Sequence, residues 1–263
     1  MTATHLRNQA YEQLQRQILS GALPPGSQVS ELSLAKQMGL SRTPVREAVR
    51  RLVHEGLLEQ RPRAGTVVRT FGAQDIIELY ELRQALECFA VEQAAARIST
   101  DDLDALGRLC EQIRRQVDEL KKSKKRAVDA AGLKRLLAAD LAFHMILVRA
   151  AGNRRILDMV ADSRVLTRIF STPRQEHNLD VLRDTYRFHS DIHHALERRD
   201  GQAARQLLAE HIQLSLRQTL AHHEEAQGLR DFGASLPAEL RSELDRVEKE
   251  IARPRPPARK ARA

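Results

Sequence analysis

The stretch Ser41-Arg42-Thr43-Pro44-Val45-Arg46-Glu47-Ala48-Val49 decides how the first part of the chain is read. Ser41 suits a helix N-cap, because its hydroxyl can accept a hydrogen bond from an orphan N–H of the first turn. Pro44 falls inside that turn, where its missing N–H costs nothing and its fixed φ suits a helix. Val45, Ala48, Val49, Leu52 and Val53 follow the i, i+3, i+4 spacing of a buried stripe. Thr43, Arg46, Arg50 and Arg51 are left on the exposed side, with Arg42 at its edge. Such a helix packs by one face and offers guanidinium groups by the other, beside an N-terminus that favours phosphate. Alone, a basic row is more often a solvated helix face; the flanking segments decide for DNA.

Upstream, Leu6, Ala10, Leu14 and Ile18 stand four apart, predicting an amphipathic helix over 5–20 that stops at Gly21. Leu23-Pro24-Pro25-Gly26 is a turn. Ser30 caps a second helix, with Leu34, Ala35 and Met38 inward and Gly39 as its stop. Two short helices joined by so tight a glycine turn, the second one basic, make a helix-turn-helix. Downstream, Leu57-Leu58-Glu59-Gln60-Arg61 and Thr66-Val67-Val68-Arg69 flank Pro62-Arg63-Ala64-Gly65. That is a hairpin with a basic tip, a wing in which Arg63 and Gly65 come closest to a phosphate or a minor groove.

Charge supports the same division. The 263 residues carry a net charge of +8. Residues 1–70 hold 10 Lys/Arg against 5 Asp/Glu, and 252–263 hold 5 Lys/Arg and no acid, which leaves 71–251 at −2. A basic module is joined to something nearly neutral. Aromatic content of 3% and no Trp suit packed helices rather than a β-sandwich. No apolar run approaches a membrane span and the start lacks a signal-peptide pattern, so a cytoplasmic protein is expected. Cys88 and Cys110 lack metal-type spacing and read as reduced core residues.

From Phe71 onward the pattern is helical: 74–98, then 100 to about 120 capped by Thr100, about 128–150, 154–170, about 179–199 and 201–226. Lys121 to Arg126 is a charge run read as a solvated connection, and Ser171-Thr172-Pro173 breaks the chain between two helices. A last helix is expected over 237–252, followed by a basic, Pro-rich tail expected to be disordered. Within the helical part, Asp140 and His144 lie four apart on one helix, while His189 and His211 stand 22 residues apart on successive helices. One carboxylate and three imidazoles suit a first-row divalent metal, although with ten histidines such spacings also arise by chance. Asn153 reads as a cap for the helix before it.

Residues 6–69 resemble the winged helix-turn-helix of GntR-family transcription regulators. The likeness rests on Gly21-x-Leu23-x-Pro25-Gly26, Glu31-x-x-Leu34-Ala35, Gly39 through Ala48, Glu55-Gly56-Leu57 and Gly65-Thr66-Val67-Val68. It implies DNA contacts by Ser41, Arg42, Thr43, Arg46 and Gly65. Chemically, Arg42 and Arg46 can pair with the O6/N7 edge of guanine, while Ser41 and Thr43 serve phosphates. Arg50 and Arg63 join that expected set. Leu32 departs from the pattern, since some members carry a DNA-contacting Arg there.

Residues 71–226 resemble the FCD effector domain of FadR-type members, through Glu81-Leu82-Arg83-x-x-Leu86-Glu87, Asp140-x-x-x-His144, Gly152-Asn153 and the segment from His189 to His211. The resemblance implies metal ligation by Asp140, His144, His189 and His211, with His193 and His194 outside the ligand positions. It implies Arg83 as the group that holds an effector carboxylate. Zinc suits imidazole best, with nickel and manganese as alternatives.

The expected architecture is mainly α: an N-terminal winged helix-turn-helix and a C-terminal antiparallel all-α bundle. Its expected parts are a DNA-binding domain over 1–70, a linker over 71–75, a helical effector-binding and dimerisation domain over 76–228, and a C-terminal helix and tail over 229–263. The expected function is a homodimeric repressor released from its double-stranded DNA operator by a small carboxylic acid bound at the metal. Two alternatives stand beside it. One is a metal-dependent regulator without an organic effector. The other is a metal-dependent hydrolase, which is short of a dedicated general base.

Overall fold

The computed structural model describes residues 3–123, 125–171 and 177–235. The helix expected over 237–252, the basic tail, Lys124 of the charge run and the break at Thr172-Pro173 lie outside the described residues. Helices α1 (Ala3–Leu19), α2 (Glu31–Met38) and α3 (Arg42–His54) come first, then strands β1 (Leu58–Arg61) and β2 (Gly65–Val68). Helices α4 (Ala73–Arg97), α5 (Thr100–Lys122), α6 (Ala130–Ala150), α7 (Arg154–Ser171), α8 (Leu179–Glu197) and α9 (Gly201–Ser235) follow. Met1–Ala221 is one compact unit; of the second, only the end of α9 is described.

The tight α2–α3 connection has a local cause at each end. Ser30 Oγ accepts from Ser33 N–H to start α2, and Gly39 ends it at φ +66, a conformation that costs glycine nothing. Ser41 differs from expectation. It has the extended backbone of an N-cap, but its side chain makes no cap bond. Pro44 explains this, because it stands at the third helical position, where a capping N–H would be, and has none. Ala10, Leu14, Leu34, Val45, Ala48, Val49, Leu52, Leu57 and Val68 close one small core beneath α3. Leu52 is fully buried there. Leu52→Ala is expected to cost this core about 2–5 kcal/mol, read as a lower midpoint in chemical denaturation.

β1 and β2 pair antiparallel, from Leu58 against Val68 to Arg61 against Gly65. The sequence reading took Leu23 to Gly26 as a turn and gave residues 27–29 no element. Residues 26–29 form a third edge: Gly26 N–H donates to Val68 O, Val68 N–H to Ser27 O, and Val29 N–H to Thr66 O. Gln28 Nε2 donates to Ala64 O at 2.8 Å, bracing the wing tip. Arg63 (φ +65) and Gly65 (φ +74) are both left-handed there.

The link from wing to bundle is short, since α4 begins at Ala73, inside the stretch read as linker. It is also clamped. The Asp75 carboxylate accepts from Gly72 N–H at 2.9 Å and from Arg69 at 2.6 Å. In the bundle α4 packs on α6, α7 and α8, and α5 packs on α6 and α8. Val91, Leu106, Phe143, Leu147, Ile192 and Leu208 are central to the main core. Two caps differ from the sequence reading. Ser99, not Thr100, caps α5 by accepting from Asp102 N–H. Asn153 caps the following helix rather than the preceding one, with Oδ1 accepting from Arg155 and Ile156 N–H; Gly152 (φ +75) ends α6. Cys88 and Cys110 are both free and buried, and burial pushes their thiols up to about 11 and about 12.

Candidate functional site

Two sites emerge. The first is the outer face of α3 with the wing tip. Ser41, Arg42, Thr43, Arg46, Arg50, Arg63 and Gly65 are all exposed. Among the described residues no acidic side chain pairs with Arg42, Arg46, Arg50 or Arg63. Arg51 behaves differently. Its Nε donates to Glu55 at 2.8 Å and its guanidinium lies 3.7 Å from the Tyr11 ring centre, while Tyr11 Oη also donates to Glu55. Arg51 therefore ties α3 to α1. Leu32 on α2 is 64% exposed, an apolar side chain in solvent.

The second site is buried in the bundle. Asp140 and His144 come from α6, His189 from α8 and His211 from α9, and one ligand atom from each lies within 4.8 Å of the others. Asp140 Oδ1 stands 3.5 Å from His144 Nε2, 3.4 Å from His189 Nε2 and 3.9 Å from His211 Nε2. These distances are too long for good hydrogen bonds. Among the described residues, His144 Nε2 and both ring nitrogens of His189 have no hydrogen-bond partner, although both rings are fully buried. Four donors at about 2.0–2.1 Å from one ion would stand roughly 3–4 Å from each other. The donor set and its spacing fit a divalent cation.

The electrostatics agree. Burial pushes the His189 imidazole down to about 3 and lowers His211 as well, so both rings are neutral, as a ligand must be. Burial alone would raise the Asp140 carboxyl; His144 and the neighbouring imidazoles override it and hold the group well below its ordinary value. Phe143 stacks on His189 at 3.9 Å between ring centres, which fixes that ring.

Glu87 is the residue that sequence reasoning missed. Its Oε2 lies 2.7 Å from His144 Nδ1, and its Oε1 accepts from Arg83 Nε at 3.0 Å. A carboxylate only accepts, so His144 carries a proton on Nδ1, which leaves Nε2 as the ring nitrogen turned toward Asp140. Arg83, expected to meet an effector, is 3% exposed, is held by Glu87, and lies 4.9 Å from the Tyr80 ring centre. The signal was present in the sequence as Arg83-x-x-x-Glu87, but that spacing ordinarily marks a surface ion pair.

The comparisons with known proteins agree with this layout. Residues 78–214 match the FCD domain, and residues 6–68 match the gntR family of bacterial regulatory proteins. The HTH-type transcriptional regulator YdhC of Bacillus subtilis is 30% identical over 207 residues, 78% of this chain and 86% of that one. The HTH-type transcriptional repressor RspR of Escherichia coli is 26% identical over 208 residues, 79% of this chain and 86% of its own. The solved structure of E. coli McbR/YncC superposes with a TM-score of 0.66 at 25% identity, covering 81% of this chain and 96% of the other. These relatives are regulators, which sets the hydrolase alternative aside. No described helix is long and apolar enough to cross a membrane. The chain belongs to the gntR family of bacterial regulatory proteins, as a DNA-binding transcription regulator with an FCD domain behind its winged helix.

Proposed function

We propose that the protein is a homodimeric cytoplasmic repressor whose grip on its operator is loosened by a small carboxylic acid bound beside a divalent metal. The observation that carries this reading is the convergence of Asp140, His144, His189 and His211 from three helices, one of them braced by Glu87 and Arg83. The Nε2 atoms of His144, His189 and His211 all face the Asp140 carboxylate at 3.5, 3.4 and 3.9 Å, a donor set spaced for one cation. Zinc fits three imidazoles best, with nickel or manganese as alternatives. A bound ion would supply a Lewis-acidic position for one carboxylate oxygen. Arg83 would hold or orient the acid through its guanidinium fork. An acid held between Arg83 on α4 and the ligands on α6, α8 and α9 favours one packing of those helices. Its effect on DNA binding equals its differential affinity for the two packings, typically about 1–3 kcal/mol. The Arg69–Asp75 ion pair joins the end of the wing to the first turn of α4 and would couple a shift of that helix to the wing.

The test is an operator titration with and without the metal and with a panel of small carboxylic acids. An acid is expected to weaken binding of the metal-loaded protein, and Arg83→Lys, which keeps a cation for Glu87 but loses the fork, should blunt that response. A response to metal alone, unaffected by any acid, would replace this reading with a metal-dependent regulator lacking an organic effector.

On the DNA side, Arg42 and Arg46 would reach base edges in the major groove with Arg50 on the same helix face, while Ser41, Thr43, Arg63 and Gly65 contact the backbone. Arg46→Ala is expected to weaken operator binding by about 1–3 kcal/mol and to relax specificity at one base position per half-site. Equal affinity at the same salt would misplace the recognition helix. Arg63→Gly removes a side chain from a left-handed position. It is expected to lower affinity across all sequences without lowering the melting temperature.

A further inference from the structure

A second group of candidate ligands lies one turn further along α8, outside the buried cluster. His193, His194 and Glu197 offer ligand atoms within 4.8 Å of one another. Glu197 is four residues after His193 and three after His194, so both imidazoles stand over one carboxylate from the preceding turn. His193 is oriented from across the bundle, because its Nε2 lies 3.0 Å from the Leu103 carbonyl oxygen of α5. A carbonyl only accepts, so that bond places the proton on Nε2 and leaves Nδ1 with a lone pair. Nδ1 faces Glu197 Oε2 at 3.9 Å, beyond hydrogen-bond reach but within the span of two donors around one ion. The ring is seated against α5 at Gly107, where a Cβ would come within 3.5 Å of it. His193 and Glu197, but not His194, line a groove of about 710 Å³ together with Asp104, Arg108 and Arg115 of α5.

We propose that His193, His194 and Glu197 form a second divalent-cation site at the surface of α8, separate from the buried cluster and of lower affinity. Two imidazoles and a carboxylate suit zinc-like cations better than magnesium or calcium. Lower affinity follows from exposure. His194 and Glu197 are solvated and free to change rotamer, so holding them around an ion costs side-chain entropy that the packed buried ligands have already lost. His189 and His193 are successive turns of one helix, and a cation at the outer site restrains the helix that carries a ligand of the inner one.

The test uses the full-length protein stripped of metal by a chelator and titrated with zinc chloride in a calorimeter. The wild type is expected to take two zinc ions per chain in two affinity classes. His193→Ala with Glu197→Gln is expected to lose the weaker equivalent and keep the tighter one, with an unchanged helical circular-dichroism spectrum. Glu197→Gln alone, at a half-exposed position that tolerates substitution, should weaken the second equivalent without removing the first. A single equivalent in the wild type at saturating zinc would overturn the proposal. So would a second equivalent that both variants retain.

Discussion

Purified, dialysed protein is expected to carry about one tightly held divalent metal per chain, and a His189→Ala, His211→Ala double variant to carry none. The expected stability effect is large. Two buried rings have ring nitrogens with no hydrogen-bond partner among the described residues, and each such group costs about 1–3 kcal/mol when left unsatisfied. An ion that binds only the folded chain adds about 4 kcal/mol when its free concentration is 1,000 times Kd. Chelation should therefore lower the melting temperature of the wild type and leave that of the double variant unchanged. Acid acts in the same direction on the metal-free chain. An unfolded histidine takes a proton near its ordinary value, whereas folded His189 does so only at about 3 and folded His211 below its ordinary value. The unfolded state thus binds more protons, so stability falls as pH drops from about 7 toward about 4. Asp140, held below its ordinary value when folded, adds to the loss at the acid end. Thermal melts across that range decide the matter. A wild type whose melting point were indifferent to both chelator and acid would refute the buried site.

The winged helix was legible because its signals are local. Gly39, Pro44 and the apolar stripe from Val45 to Val53 each act within a few residues, and α2 and α3 begin and end where those residues place them. The cluster of Asp140, His144, His189 and His211 was legible through family resemblance more than through spacing, since the four lie on three helices and no single-helix pattern joins them all. What stayed hidden depended on packing between distant segments. Residues 26–29 become a sheet edge only because β2 passes beside them. Arg83 and Glu87 look like any exposed pair at i, i+4 until α6 covers them. The cap at Ser41 failed for a reason already visible in the sequence, the missing N–H of Pro44. The α5 cap was misassigned by one residue because Ser99 and Thr100 are adjacent polar residues that compete for the same N–H groups, and Asn153 by one helix because Gly152 already ends α6 and leaves Asn153 to cap α7.

Glu87→Leu is expected to destabilise the folded protein by about 3–5 kcal/mol, because Arg83 would then keep a buried charge without its carboxylate. Glu87 is 1% exposed and Arg83 3%, so solvent cannot replace the lost partner. The same substitution strips His144 Nδ1 of its acceptor, which frees the ring to turn or change tautomer. Loss of such a partner typically costs about 10–100-fold in metal affinity. The two consequences come apart in a double variant. Arg83→Met with Glu87→Leu removes both charges at once, and replacing a whole buried pair by apolar groups is often nearly neutral, so most of the stability should return. Metal affinity should not return, because the Nδ1–H of His144 still lacks an acceptor. Denaturant titration of the metal-free variants reads the first quantity and competition against a chelator of known affinity reads the second. If the double variant recovered metal binding along with stability, Glu87 would be a partner for Arg83 alone and His144 would be held by something else. If Glu87→Leu were as stable as wild type, the buried pair would not bear on the fold.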